Sequence, residues 1–184
     1  MAIQSRQYTV AEFEQILAEP ENSERLLELV NGEIIEKMPT EEHGIIVLNI
    51  GGEIRIYLKT NPIGRVGVEI RHRNPEDDYN DRLPDISFTA DITNPVVTKG
   101  VVLRFPDLAV EVKSPDVSYR QMREKAEYYL ANGVKLVWLV YPEKRIVDVY
   151  RADGEIQILN ENDSLDGGEV LPGFSMPVSD IFKS

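Results

Sequence analysis

Glu111 and Lys113 stand two apart in Leu108-Ala-Val-Glu-Val-Lys113, a mostly apolar run of strand length. Side chains two apart on a strand share a face, with roughly 6 to 7 Å between their Cα atoms, so a carboxylate and an ammonium can serve one site. Asp85 follows Pro84 on an earlier predicted strand. Neighbouring strands lie about 5 Å apart, so its carboxylate can meet that of Glu111 over a single ion. Two carboxylates, water and a phosphate oxygen suit Mg²⁺, a hard cation that keeps several waters, with Mn²⁺ as a substitute. Lys113 can then orient or help deprotonate an attacking water while the ion offsets charge growing on the phosphate. Pro106-Asp107 offers a competing ligand, but four residues along one strand put Asp107 about 13 Å from Glu111, too far to share an ion. Asp85 is therefore the better ligand, and Asp107 is expected to start its strand or pair with an arginine.

Further residues are auxiliary candidates, each with a plainer alternative. His43 heads a predicted helix, where it can meet a phosphate or simply bond a neighbouring carbonyl. Glu28 can be an additional acid beside the ion or a salt-bridge partner. Gln121 and Lys125 are one helical turn apart, so both can reach toward the site or lie on a solvated face. Arg71, His72 and Arg73 form the densest basic cluster, and Arg71 and Arg73 are the nucleic-acid-binding candidates. Ion pairs with Glu76, Asp77, Asp78 or Asp81 explain them equally well. Trp138, Tyr128 and Tyr129 sit in apolar stretches and read as core.

Composition limits the alternatives. With no cysteine and only two histidines, thiolate sites and disulfides are excluded and a zinc-type centre is short of ligands. No apolar run approaches a membrane span, and Met1 to Tyr8 lacks the apolar stretch of a signal peptide, so a cytoplasmic protein is expected. The net charge of -12 opposes a polyanionic substrate, since affinity for phosphates comes largely from lysine and arginine. The opposition is uneven: residues 55–125 carry 12 Lys+Arg against 11 Asp+Glu, a balance of +1, leaving 8 against 21 elsewhere.

The elements that must position these residues follow from local pattern. Thr9-Val-Ala-Glu12 is a capping box opening a short helix, and Leu26 to Met38 alternates around Asn31-Gly32 as a hairpin. Thr40 caps a helix from Glu41 to Lys59 that presents His43, Val47, Ile50, Ile54 and Leu58 along one face. Gly51-Gly52 in its middle predicts a kink or close backbone packing. Strands are expected at Arg65 to Arg73, Arg82 to Thr89 and Asp107 to Lys113, with a long loop or flap over Thr93 to Arg104. A helix then runs from Asp116 or Ser118 to Ala131, followed by an apolar strand at Lys135 to Tyr141, which makes a right-handed βαβ crossover. Arg145 to Arg151 and Glu155 to Leu159 extend the sheet, and Leu171-Pro-Gly-Phe174 is a turn tucking Phe174 inward. One domain spans 1–184: an N-terminal helix and hairpin over 1–39, a core over 40–142 in the order α-β-β-β-α-β, and a C-terminal hairpin and tail over 143–184.

Taken alone, Glu-Val-Lys is a weak signal, but it gains from ending a strand that leads into a βαβ crossover, where α/β sites tend to lie. Leu27-Glu-Leu-Val-Asn-Gly-Glu33, Leu83-Pro-Asp-Ile-Ser-Phe88, Phe105 to Pro115, Lys125 with Tyr129, Gly133 to Pro142 and Leu171-Pro-Gly-Phe174 together resemble the Uma-type restriction-endonuclease family of the PD-(D/E)XK superfamily. The resemblance covers nearly the whole chain. It implies an α/β (α+β) restriction-endonuclease-like fold with a mixed central sheet flanked by helices. It also implies Asp85, Glu111 and the Val112 backbone carbonyl as metal ligands and Lys113 as the catalytic lysine. Many relatives lack a lysine at that last position, so its presence here favours a complete site. The expected activity is Mg²⁺-dependent endonucleolytic hydrolysis of DNA by a homodimer. The alternatives are a non-catalytic nucleic-acid or protein binding module on the same fold, and a metal-dependent hydrolase of a small phosphorylated molecule.

Overall fold

A computed structural model describes residues 6–184, so the first five residues of the stretch inspected for a leader lie outside the described residues. The chain sorts into two compact units, one of residues 1–38, 71–83 and 97–104, the other of 39–70, 84–96 and 105–184. The sequence division at residue 39 leaves 71–83 and 97–104 with the core; their contacts place them in the N-terminal unit.

In that first unit, helix α1 (Val10–Leu17) starts at a capping box, Thr9 accepting from the Glu12 amide and Glu12 accepting from the Thr9 amide. Strands β1 (Leu26–Val30) and β2 (Glu33–Lys37) form the expected hairpin, with Val30 opposite Glu33 and the turn at Asn31 and Gly32 at φ of 51° and 81°. Positive φ at both central residues is the type I′ turn, whose twist matches that of the flanking strands and for which Asn-Gly is the preferred pair. Phe13 of α1 packs on Leu27 and Leu29. Asp81 bridges Leu29, and His72 bridges both Arg82 and Val102, which ties the two inserted segments to the hairpin.

The second unit carries a six-stranded mixed sheet. Helix α2 (Glu41–Thr60) precedes strand β3 (Arg65–Val68), β4 (Ile86–Thr89) and β5 (Leu108–Val112); helix α3 (Tyr119–Ala131) then leads to β6 (Leu136–Tyr141), β7 (Ile146–Arg151) and β8 (Ile156–Leu159). The strands lie in the order β3-β4-β5-β6-β7-β8, parallel only between β5 and β6, on either side of the α3 crossover. A final hairpin, β9 (Ser164–Gly167) and β10 (Leu171–Pro177), and a short α4 (Val178–Ile181) complete the unit. Alternation along each strand divides the core in two. Ile46, Ile50, Ile54 and Leu58 of α2 share one cluster with Ile86, Phe88, Val110, Val112, Trp138 and Val140. Met122, Ala126 and Tyr129 of α3 share another with Ala109, Val137 and Leu139. Each such aliphatic side chain contributes about 1.5–3 kcal/mol on burial, which fixes the sheet register against slippage.

Several expectations need correction. The strand expected through Arg73 stops at Val68, because Glu69 turns to φ 51° and breaks the extended run. The next strand begins at Ile86 rather than Arg82. Helix α2 keeps its expected span through Gly51-Gly52, and Gly51 lies against Ile86, where a Cβ would come within 3.9 Å. Leu171 to Pro177 is a strand with a register shift between Leu171 and Ser175, where Gly173 takes φ 81°, and Phe174 stacks on Trp138 at 5.9 Å between centroids. Among the described residues, no helix is long and apolar enough to cross a membrane.

Candidate functional site

Strand β5 places its acid by parity. Leu108, Val110 and Val112 face α2, so Ala109 and Glu111 face α3. Glu111 is only 1 % exposed in an otherwise apolar strand. Burying a carboxylate is costly unless it is paired and hydrogen-bonded, and α3 supplies both. Lys125 and Tyr129, one turn apart, reach the same group: Lys125 Nζ lies 2.9 Å from Glu111 Oε2, and the Tyr129 hydroxyl donates to Oε1 at 2.7 Å.

Asp85 immediately precedes β4 and is 3 % exposed. Its Oδ2 accepts from the Val112 amide at 2.6 Å and stands 3.2 Å from His43 Nε2. The antiparallel register pairs Ile86 with Val110, so one further step sets Asp85 opposite Glu111. His43 is held for this contact by its place in the first turn of α2, where its amide donates to Thr40 Oγ1 at 3.2 Å. Two buried carboxylates thus come from neighbouring strands at one end of the β4–β5 pair, each beside a nitrogen base.

Lys113 follows β5 and extends its parity to the Glu111 face, but its ammonium points elsewhere. Nζ contacts the Ser114 carbonyl at 3.3 Å and Glu143 Oε1 at 3.1 Å, and lies 5.3 Å from the centroid of the Tyr119 ring. Partial burial acts to raise the Glu143 carboxyl, but the Tyr119 hydroxyl and Lys113 outweigh it and hold the group below its usual range. On the Glu111 face, one strand further over, Leu139 lies opposite both Glu111 and Asp148. Burial pushes the Asp148 carboxyl up, against the Tyr141 hydrogen bond and the Lys144 and Arg123 charges that lower it, and burial and Asp148 together push the Tyr141 phenol up.

The remaining candidates divide clearly. Gln121 caps α3, accepting from the Ser118 amide at 2.9 Å while Ser118 accepts from the Gln121 amide at 3.2 Å. Glu28 is buried on β1 in the N-terminal unit, opposite Ile35. Arg71 and Arg73 both pair with fully buried Asp81, at 2.5 and 2.6 Å, and both also bind Glu14. Asp107 finds a lysine rather than an arginine, Lys135 at 2.8 Å, and accepts from the Ala90 amide. Sequence reasoning set Tyr129 among core aromatics and passed over Glu143 and Tyr119; the spacing of Tyr129 four residues after Lys125 was the available signal for the first.

As a donor set, Asp85 and Glu111 with the Val112 carbonyl are hard oxygens, which suit a divalent ion that retains water. Among the described residues no group of three or more His, Cys, Asp or Glu side chains is placed to hold a metal, so a closed all-side-chain cage is not offered. An open site of two carboxylates, completed by water and substrate oxygen, is what these residues fit.

Comparison with known proteins agrees with this architecture. The model of the family Uma2, described as "Putative restriction endonuclease", matches residues 10–179. A crystal structure of a putative nuclease belonging to DUF820, from Anabaena variabilis, superposes with a TM-score of 0.79 at 24% identity, covering 95% of this chain and 97% of that one. No curated protein matches.

Proposed function

The chain belongs to the Uma2 family, and from that premise we propose that it is a nuclease hydrolysing phosphodiester bonds in DNA with Mg²⁺. The observation that carries the proposal is the convergence of two buried acids, Asp85 and Glu111, from registered neighbouring strands onto one strand end, each with its own positioning base. Glu111, Asp85 and the Val112 carbonyl would hold the ion, which supplies charge neutralisation on the phosphate. The whole chain, 1–184, is taken as one catalytic domain.

The protein's own groups then divide the work. Lys125 and Tyr129 each fix one oxygen of Glu111, and the Val112 amide and His43 fix Asp85, so neither carboxylate must reorganise as the reaction proceeds. Lys113 orients the attacking water. To do so its ammonium exchanges Glu143 for the substrate; Glu143, 43% exposed, is rehydrated as it leaves, and the substrate phosphate takes over as counter-charge for the Lys113 side chain, which is 9% exposed. A bond forms between the water oxygen and phosphorus as the bond from phosphorus to the sugar oxygen breaks; the attacking water gives up one proton to solvent, and the departing sugar oxygen takes one from solvent. A homodimer would address both strands of a duplex with two-fold symmetry.

One observation favours a second reading. Arg71 and Arg73, the expected phosphate contacts, are engaged with Asp81 and Glu14, and the chain carries a net charge of -12. A small phosphorylated substrate requires no extended basic surface. Supercoiled plasmid and a small phosphodiester, each incubated with the protein and Mg²⁺ or Mn²⁺, separate the two. Plasmid nicking that chelator and Asp85→Asn both abolish supports the DNA nuclease. Hydrolysis of the small ester alone supports the second reading, and nicking equally strong in Asp85→Asn would point to a contaminant and sink the first.

A further inference from the structure

The outer face of α2 carries a pattern that nothing among the described residues covers. Leu48 and Ile56 are 72% and 55% exposed, although the helix already buries Ile46, Ile50, Ile54 and Leu58 on its other side. Between and before them, at four-residue spacing, stand Gly44 and Gly52. Among the described residues, a Cβ at either glycine would meet nothing within 4 Å, so the packing they show does not require glycine at these positions. Each nonetheless weakens the helix by about 0.8–1.0 kcal/mol relative to alanine. Two glycines that cost stability beside two apolar side chains in water describe a surface made for close approach.

The sequence of that face identifies what approaches. Reversed end for end about Ile50, the series Gly44, Leu48, Gly52, Ile56 places each large residue over a glycine: Leu48 meets Gly52 and Ile56 meets Gly44. The charges reverse in the same way. Glu41, in the first turn, falls opposite Lys59, in the last, and both lie on the same outer stripe as Leu48 and Gly52. Shape and charge are therefore self-complementary under a two-fold axis, the property required of an isologous interface. With glycine facing each knob, the two helices can close toward the short end of the usual 8–10 Å separation. A helix of 20 residues offers about 30 Å of such contact.

We propose that this protein forms a homodimer through antiparallel packing of α2 against α2 of a second copy, with Leu48 seated on Gly52, Ile56 on Gly44, and Glu41 paired with Lys59. This rests on the two-fold assembly proposed above but not on the cleavage chemistry. It also gives a use for glycine at position 52, open on the outer side, whereas Gly51 turns toward Ile86 in the core.

Sedimentation velocity on the full chain across a dilution series tests the interface. The parent should be a dimer. Leu48→Glu, at an exposed position, should leave circular dichroism unchanged and weaken the dimer about a hundredfold or more, since two symmetry-related leucines lose their burial. Gly52→Leu should raise the melting temperature of the helix-bearing monomer yet dissociate the dimer, which no purely structural role predicts. Glu41→Lys and Lys59→Glu should each weaken association about tenfold, and the double variant should restore it. A parent that is monomeric throughout overturns the proposal. So does a dimer that persists in Leu48→Glu and Gly52→Leu but falls apart in Ile158→Glu, which would move the contact to the exposed edge strand β8. Plasmid nicking measured on the same samples keeps the two claims apart: a dimer without cleavage refutes the chemistry alone, and a cleaving monomer refutes the interface alone.

Discussion

Lys125 and Glu111 should be strongly coupled, and a double-mutant cycle measures by how much. Their charged atoms are 2.9 Å apart, and the side chains are 13% and 2% exposed. At an effective permittivity near 20, charges at that distance attract by about 6 kcal/mol. Desolvation of both partners offsets about half of this, leaving a coupling of about 3 kcal/mol. Lys125→Met keeps the length and apolar stem of the side chain but removes the ammonium beside the Glu111 carboxylate, and should cost about 3–5 kcal/mol. Glu111→Gln keeps an acceptor for the Tyr129 hydroxyl but leaves the Lys125 ammonium buried, with a similar cost. The double variant removes both charges together and should be more stable than the sum of the singles by about 3 kcal/mol. Urea unfolding of the four proteins, monitored by circular dichroism, gives the coupling from the shifts in midpoint. An interaction energy below about 0.5 kcal/mol, the level of independent sites, would refute the claim that α3 holds Glu111 by charge.

Other consequences can be checked alongside. Tyr129→Phe removes a hydrogen bond to a charged group and should cost about 1.5–3 kcal/mol, a drop in melting temperature of roughly 3–12 °C for a chain of this size. Lys113→Ala should destabilise by about 1–3 kcal/mol, because the side chain is 9% exposed and loses both Glu143 and its place beside Tyr119, while lowering plasmid nicking about a hundredfold or more. Asp81→Asn should destabilise by about 3–5 kcal/mol, since it leaves Arg71 and Arg73 without the buried half of their partnership. The His72 imidazole is pushed below its usual value chiefly by burial, against the raising effect of its bond to the Arg104 carbonyl. The unfolded chain then binds a proton that the folded chain refuses, so stability is full above about pH 6.5 and is lost as pH falls through the folded-state value; equilibrium urea midpoints between pH 8 and 5 should decline accordingly. A flat profile, shared by His72→Gln, would contradict the assignment.

The sheet was legible where burial and parity agree. Leu136 to Tyr141 is apolar at nearly every position because both faces are covered, and Glu111 stands out in β5 because nothing else in that strand is polar. The break at Glu69 was not legible, since a positive φ at a glutamate is imposed by the surroundings and carries no local signature. Arg71 and Arg73 illustrate a second limit: their charge is visible in the sequence, but Glu14, nearly sixty residues earlier, is not visibly their partner. The two lysines mark the limit at the site itself. Parity places Lys113 on the Glu111 face, and helical spacing places Lys125 and Tyr129 on one face of α3, but neither rule says which ammonium lands on the carboxylate. Side-chain length and the position of Glu143 decide that, and they send Lys113 outward and Lys125 in.

The account depends above all on Asp85 and Glu111 acting as one site. Crystals soaked in Mn²⁺ and measured at the manganese absorption edge would locate the ion directly. A single strong anomalous peak is expected within coordination distance of an oxygen from each of Asp85 and Glu111, absent from Asp85→Asn crystals. A peak touching one carboxylate alone, or bound elsewhere and unchanged in the variant, would contradict it.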